Sequence, residues 1–225
     1  MSIPPNQIVI LPESGTILEL LLQYMYHQPQ PDLSLLDFDT LIALGEAAEK
    51  YQVYSALEIC RVYLSLSIPD HPLRVLSFAL KHNRTSLIDE AAKETIGEPL
   101  EGLISALQPH HFVAWVKYHR AWMDTLSKVY QFRDPLLRHW EGSKDADGPG
   151  TKLMVNPCEV WAELWGTVAH QLQGKPEMLL QIDEVFRQTR ELLGLRCRAC
   201  ERLIVDWQAE VEWGLEKIPK LSTYL

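Results

Sequence analysis

Apolar residues recur at every third or fourth position along most of this chain, and prolines interrupt the pattern at short intervals. Side chains three and four apart share one helix face, whereas a half-buried strand needs strict alternation, so the pattern predicts a stack of helices. The one β-like run is Ile8-Val9-Ile10-Leu11, stopped by Pro12. A helix with Ser14 or Thr16 at its N-cap follows. Its residues Ile17, Leu18, Leu20, Leu21, Leu22, Tyr24 and Met25 are apolar on nearly every side, which predicts a buried helix.

Asp37 or Asp39 can cap the next helix, which carries Phe38, Leu41, Ile42, Gly45 and Ala48. Another is expected from about Ser55 to Leu66. Pro69 and Pro72 open a helix bearing Leu73, Leu76 and Leu80. Asn83-Arg84-Thr85 forms a turn before Leu87, Ile88, Ala91 and Ala92. After Gln108-Pro109 comes a long amphipathic helix with Phe112, Val116, His119, Met123, Leu126 and Tyr130 on its apolar stripe, ending near Asp134-Pro135. Residues 142–150, Gly-Ser-Lys-Asp-Ala-Asp-Gly-Pro-Gly, have the composition of an exposed loop. Three further helices are expected after it, centred on Trp161 to Leu172, Leu179 to Leu193 and Leu203 to Leu215.

A chain of 225 residues with 47% hydrophobic content can bury a substantial core. Its net charge of −9 repels phosphate backbones, so nucleic acid is not an expected partner. No secretory signal and no membrane-spanning run is evident, and four cysteines do not suggest a disulfide framework. A cytoplasmic or nuclear protein with free or metal-bound thiols is the expectation.

The segment from Leu11 to Leu64 carries an ordered set of features: Leu11-Pro12-Glu13, Ile17 to Tyr26, Leu33 to Asp39, Ala43 to Val53 and Ala56 to Cys60. It resembles BTB/POZ domains, especially those of fungal BTB-containing proteins. In that family an apolar helix ends in a tyrosine-rich turn, followed by a short strand, an Ala-Ala-Glu-Lys-Tyr helix and a cysteine-bearing helix. Tyr24, Tyr26, Ala47, Ala48, Tyr51 and Cys60 stand at those places here. Weaker similarity continues from Leu73 to Ile96, with Ala79, Lys81 and His82 at a helix-closing turn, and Glu216 to Lys220 is similar to the family's carboxyl end.

A full domain of that family begins well before such a segment, so the resemblance implies an N-terminally truncated one. The expected architecture is mainly α: a partial BTB/POZ domain over 1–66 with one or two short β-strands, a helical extension over 67–141, a flexible loop at 142–150 and a C-terminal helical region over 151–225. The resemblance implies homotypic pairing, or adaptor work toward a cullin-type ligase scaffold or a transcriptional complex.

Cys197-Arg198-Ala199-Cys200 is the sharpest local motif. Two thiolates at this spacing can grip one zinc ion, with Cys158 as third ligand and His119, His139 or His170 as fourth. The alternative is a core role, since Cys197, Cys200, Ile204, Trp207 and Val211 share a helical stripe and a free cysteine packs as a small apolar residue. A redox role is not expected without a neighbouring βαβ pattern. No glycine-rich phosphate loop, His-Glu-x-x-His or Gly-x-Ser-x-Gly motif occurs.

The expectation is therefore a non-enzymatic protein-binding module without cofactor. A helical protein with a structural zinc and an enzyme of unrecognised type are the alternatives. Tyr24, Tyr26, Tyr51, Trp115 and Trp122 are the candidate partner-binding residues, and Trp213 also lies near a stripe edge. Trp161, Trp165 and Trp207 are expected in the core.

Overall fold

The computed structural model describes residues 10–132, 159–193 and 198–225. The protein is mainly α. Among the described residues the elements are α1 (Gly15–Gln23), α2 (Phe38–Tyr51), α3 (Tyr54–Leu66), α4 (Pro72–Lys81), α5 (Thr85–Glu94), α6 (Leu100–Ala106), α7 (Pro109–Gln131), α8 (Glu159–Leu172), α9 (Ile182–Leu193) and α10 (Arg198–Glu216). Short 3-10 turns cover Leu33–Leu35, Pro176–Gln181 and Leu221–Tyr224.

No strand occurs among the described residues, which corrects the expectation of short β-strands. Ile8 and Val9 lie outside them, and Ile10 and Leu11 have no regular structure. The connection between α1 and α2 holds the 3-10 turn Leu33–Leu35, with Asp32 accepting from the Ser34 N–H at 2.9 Å. A lone extended segment leaves its backbone groups unpaired, and a side-chain-capped turn satisfies part of that demand locally. The loop 142–150, the helix end at Asp134-Pro135 and His139 also lie outside the described residues.

Contacts divide the chain into two units, Met1–Ala92 and Lys93–Leu225. Helices α4 and α5, assigned from sequence to the extension, pack within the first unit. There, local signals set the helix limits. The Ser14 hydroxyl accepts from the Ile17 N–H, and Asp37 accepts from both the Thr40 N–H (2.9 Å) and its hydroxyl (2.8 Å). Gln52 closes α2 in the left-handed region, φ 57°, so α3 starts at Tyr54 and folds back against α2. Pro72 fills the first turn of α4, where a missing N–H costs nothing. Asn83, φ 54°, turns the chain into α5.

The first core gathers Leu44, Ala48, Ala56, Cys60, Leu64, Val75, Leu76, Leu87 and Ile88, each nearly inaccessible. Gly45 sits mid-helix because the Phe78 ring lies against it, 3.2 Å from where a Cβ would stand. Helix α1 is buried only along Ile17 and Leu21. Leu22 remains 42% exposed, so the expected burial holds for one stripe of the helix.

In the second unit, α6 is an element that its seven residues were too few to announce by periodicity. Pro109 opens α7. Its buried stripe is Trp115, Tyr118, Trp122, Thr125, Leu126 and Val129. This corrects the expected stripe, since Val116 is 44% and Met123 37% exposed. Aromatic and apolar residues surround α7 on several sides, so periodicity alone fits two faces. Helices α8, α9 and α10 contribute Trp161, Leu164, Val168, Phe186, Cys200, Ile204, Trp207 and Val211 to the core. Trp207 centres an aromatic cluster, 5.8 Å from Phe132, 5.6 Å from Trp161 and 5.0 Å edge-on from Phe186, by ring centroids. Trp165 is only half-buried.

Candidate functional site

Side chains from the segment before α1, from α2 and from the turn between α4 and α5 meet in space within the first unit, and their contacts are structural. Lys50 lies 2.6 Å from Glu13, whose second oxygen accepts from the Tyr51 hydroxyl at 2.7 Å. These bonds hold the segment before α1 against the end of α2, and they keep the Glu13 carboxyl below its usual range. One turn earlier on α2, Glu46 accepts from Lys81 at 2.6 Å and pairs with His82 at 2.9 Å. Glu49 receives a two-pronged bond from Arg84, at 2.5 and 2.6 Å. Acids spaced three apart on one face of α2 thus clasp the turn between α4 and α5.

This clasp lines an open depression bounded by Glu13, Glu46, Lys50, Lys81 and His82. Glu13, Glu46, Lys50 and Lys81 are each engaged by an opposite charge, and the His82 ring pairs with Glu46. Cys60 lies in the core of the first unit, its thiol pushed up to about 12 by burial. A thiol so disfavoured as thiolate is a packing residue rather than a nucleophile.

An exposed apolar surface lies at the junction of α1 and α3. The Ser55 hydroxyl donates to the Tyr24 carbonyl at 3.4 Å, which sets the carboxyl end of α1 against the start of α3. Around that junction Leu22, Met25, Tyr26 and Tyr54 are exposed, Met25, Tyr26 and Tyr54 by more than 60% of their surface. Farther along α3, Val62 and Leu66 are exposed as well. Large apolar side chains concentrated in this way mark contact surfaces more often than isolated ones do.

Of the tyrosines singled out from sequence, Tyr26 is on this surface. Tyr51 is half-buried and bonded to Glu13. Tyr24 corrects the expectation: its ring is buried, its hydroxyl has no hydrogen-bond partner among the described residues, and burial followed by Cys60 and Tyr63 pushes its pKa up to about 12. Tyr54, exposed and adjacent, was not among the sequence candidates, because one aromatic residue at a helix start carries no periodic signal.

Trp115 and Trp122 are likewise corrected. They are 1% and 5% exposed, inside the core of the second unit, because α7 turns the face bearing them inward. Trp213 is 59% exposed on α10, with the Lys217 ammonium 3.0 Å from its ring centroid. It borders a groove along α7 and α10 lined by Val129, Phe132, Trp207 and Val211.

Cys158 and Cys197 lie outside the described residues. Cys200 is fully buried in the stripe with Ile204, Trp207 and Val211. Among the described residues no group of three or more His, Cys, Asp or Glu is placed to hold a metal. His119 stacks on Trp115 at 4.9 Å, and His170 Nδ1 pairs with Gln173 at 2.6 Å. No described helix is long and apolar enough to cross a membrane.

No protein-family model matches the chain, and no curated protein or solved structure matches it either.

Proposed function

We propose that this chain is a non-enzymatic protein–protein interaction module of the BTB/POZ type, working inside the cell through the apolar surface at the α1–α3 junction. One observation carries the reading: Leu22, Met25, Tyr26 and Tyr54 stand exposed around a junction fixed by the Ser55–Tyr24 hydrogen bond. Tyrosine and methionine are enriched where proteins bind each other, since they offer large contact areas and, for tyrosine, little loss of side-chain freedom. The kinship draws support from the motif itself. Glu49, Lys50, Tyr51, Lys81 and His82 all make contacts that link separate elements of the first unit, so the residues of the resemblance behave as one folding unit. The occupant implied by the resemblance is a second copy of the chain or a cullin-type scaffold.

Light scattering on the purified chain, over a range of concentrations, tests self-pairing. Calorimetric titration with a purified cullin N-terminal domain tests the scaffold. Association is expected in one of them and is expected to weaken by about tenfold or more in a Tyr26→Ser/Tyr54→Ser variant, a loss typical of interface anchors. A chain that stays monomeric and ignores the scaffold overturns the reading, as does association that the double variant leaves untouched.

A further inference from the structure

We propose that the groove between α7 and α10 in the second unit is a docking site for an acidic peptide segment of a partner protein, which inserts one large apolar side chain. Val129, Phe132, Trp207, Val211 and Trp213 line a space of about 80 Å³. A groove of that size takes a single apolar side chain rather than a larger apolar body. Trp213 forms one wall and stays 59% exposed, although tryptophan is the side chain most enriched among interface anchors.

Charge selects the occupant. Lys128 and Lys217 both line the groove, against one carboxylate there, Glu210. Among the described residues neither lysine forms an ion pair, whereas the cations of the first-unit clasp are all matched by acids. Lys217 instead rests its ammonium on the Trp213 ring. A local excess of positive charge on a chain of net charge −9 attracts carboxylates only at short range. The peptide must therefore bring its acids beside the apolar residue it inserts. Glutamates flanking a leucine, phenylalanine or tryptophan place carboxylates within reach of both lysines while the side chain displaces water from the groove. No residue of the first unit takes part, so this site stands or falls independently of the α1–α3 surface.

The test uses the full chain and an array of hexapeptides carrying leucine, phenylalanine or tryptophan at the centre, flanked by glutamates, alanines or lysines. The strongest ligands are then measured in solution by fluorescence anisotropy. Glutamate-flanked peptides are expected to bind best and lysine-flanked ones worst. Trp213→Ser should weaken binding by about tenfold or more. Lys128→Glu/Lys217→Glu should shift the preference toward lysine-flanked peptides. Both changes fall on exposed positions, and circular dichroism verifies that the helices remain. The proposal is overturned if acidic flanks confer no preference, if Trp213→Ser leaves affinity unchanged, or if the folded chain binds no peptide in the array.

Discussion

The indole Nε1 of Trp115 donates a 2.9 Å hydrogen bond to the hydroxyl of Thr95, and both residues are withdrawn from solvent. A tryptophan held in this way fixes the inward face of α7 and cannot present itself to a partner. Trp115→Ala is expected to cost about 3–5 kcal/mol in urea unfolding, the range for truncating a large buried aromatic. Trp115→Phe keeps most of the volume but loses the bond, at about 1–3 kcal/mol. Association through the α1–α3 surface should be unaffected while the protein remains folded. An exposed role for Trp115 would show the reverse: intact stability and lost binding.

Gly45 and Phe78 form a second close relationship. Alanine is favoured over glycine in a helix interior by about 1 kcal/mol. The Phe78 ring, itself 5% exposed and packed against His82, leaves 3.2 Å for the added methyl. Overpacking a confined site costs about 1–3 kcal/mol, so Gly45→Ala should destabilise on balance. Adding Phe78→Leu should recover part of the loss. Thermal unfolding of the single and double variants decides the sign, and a stabilised Gly45→Ala would mean that the ring gives way freely.

The Glu49–Arg84 pair is half sheltered: the carboxylate is 12% exposed and the guanidinium 38%. The bond to Glu49 is the main cause raising the Arg84 pKa. Arg84→Met strands a largely buried charge and should cost on the order of 2 kcal/mol, below the figure for a fully buried pair because water still reaches the guanidinium. Glu49→Gln added to Arg84→Met should restore much of the loss. Urea midpoints of the two variants check this, and equal stability of the single variant and the parent would refute a stabilising clasp.

His119 predicts a pH dependence. Burial against Trp115 lowers its pKa from the ordinary 6.5, and the Glu177 carboxylate only partly opposes that shift. Above 6.5 the imidazole is neutral whether the chain is folded or not, and stability is full. As pH falls below that value the unfolded chain takes up the proton first, so stability declines until the folded-state pKa is passed. His119→Phe should flatten this part of a stability–pH profile. A profile of the same slope in the variant would place the titrating group elsewhere, His111 being the next candidate because burial lowers it too.

The zinc alternative is settled by metal analysis of the purified chain. Cys200 sits in an apolar stripe, which favours the packing role. Zinc well below one equivalent is expected, with Cys197→Ser and Cys200→Val leaving the metal content unchanged. About one equivalent of zinc, lost in Cys197→Ser, would establish a structural site instead.

By itself, the sequence marked several helix limits. Asp37 at a cap, Pro72 and Pro109 in first turns and the break at Asn83 act through the few residues around them, and backbone hydrogen bonds at a helix end are a local demand. Glu13, Glu49, Lys50, Tyr51, Lys81 and His82 stand in the segments quoted for the resemblance, but which of them touch could not be read from spacing. Only the tertiary structure decided which face of α7 turned inward. Phe112, Val116 and Met123 and the alternative Trp115, Tyr118 and Trp122 are both apolar series at helical spacing. Periodicity supplies the angle between residues but no origin, and the origin is set by what the rest of the second unit offers to pack against. The same holds for Tyr24 and Tyr26, two residues apart at the end of α1. One is buried and the other exposed, because packing around that end encloses the first ring and leaves the second in water.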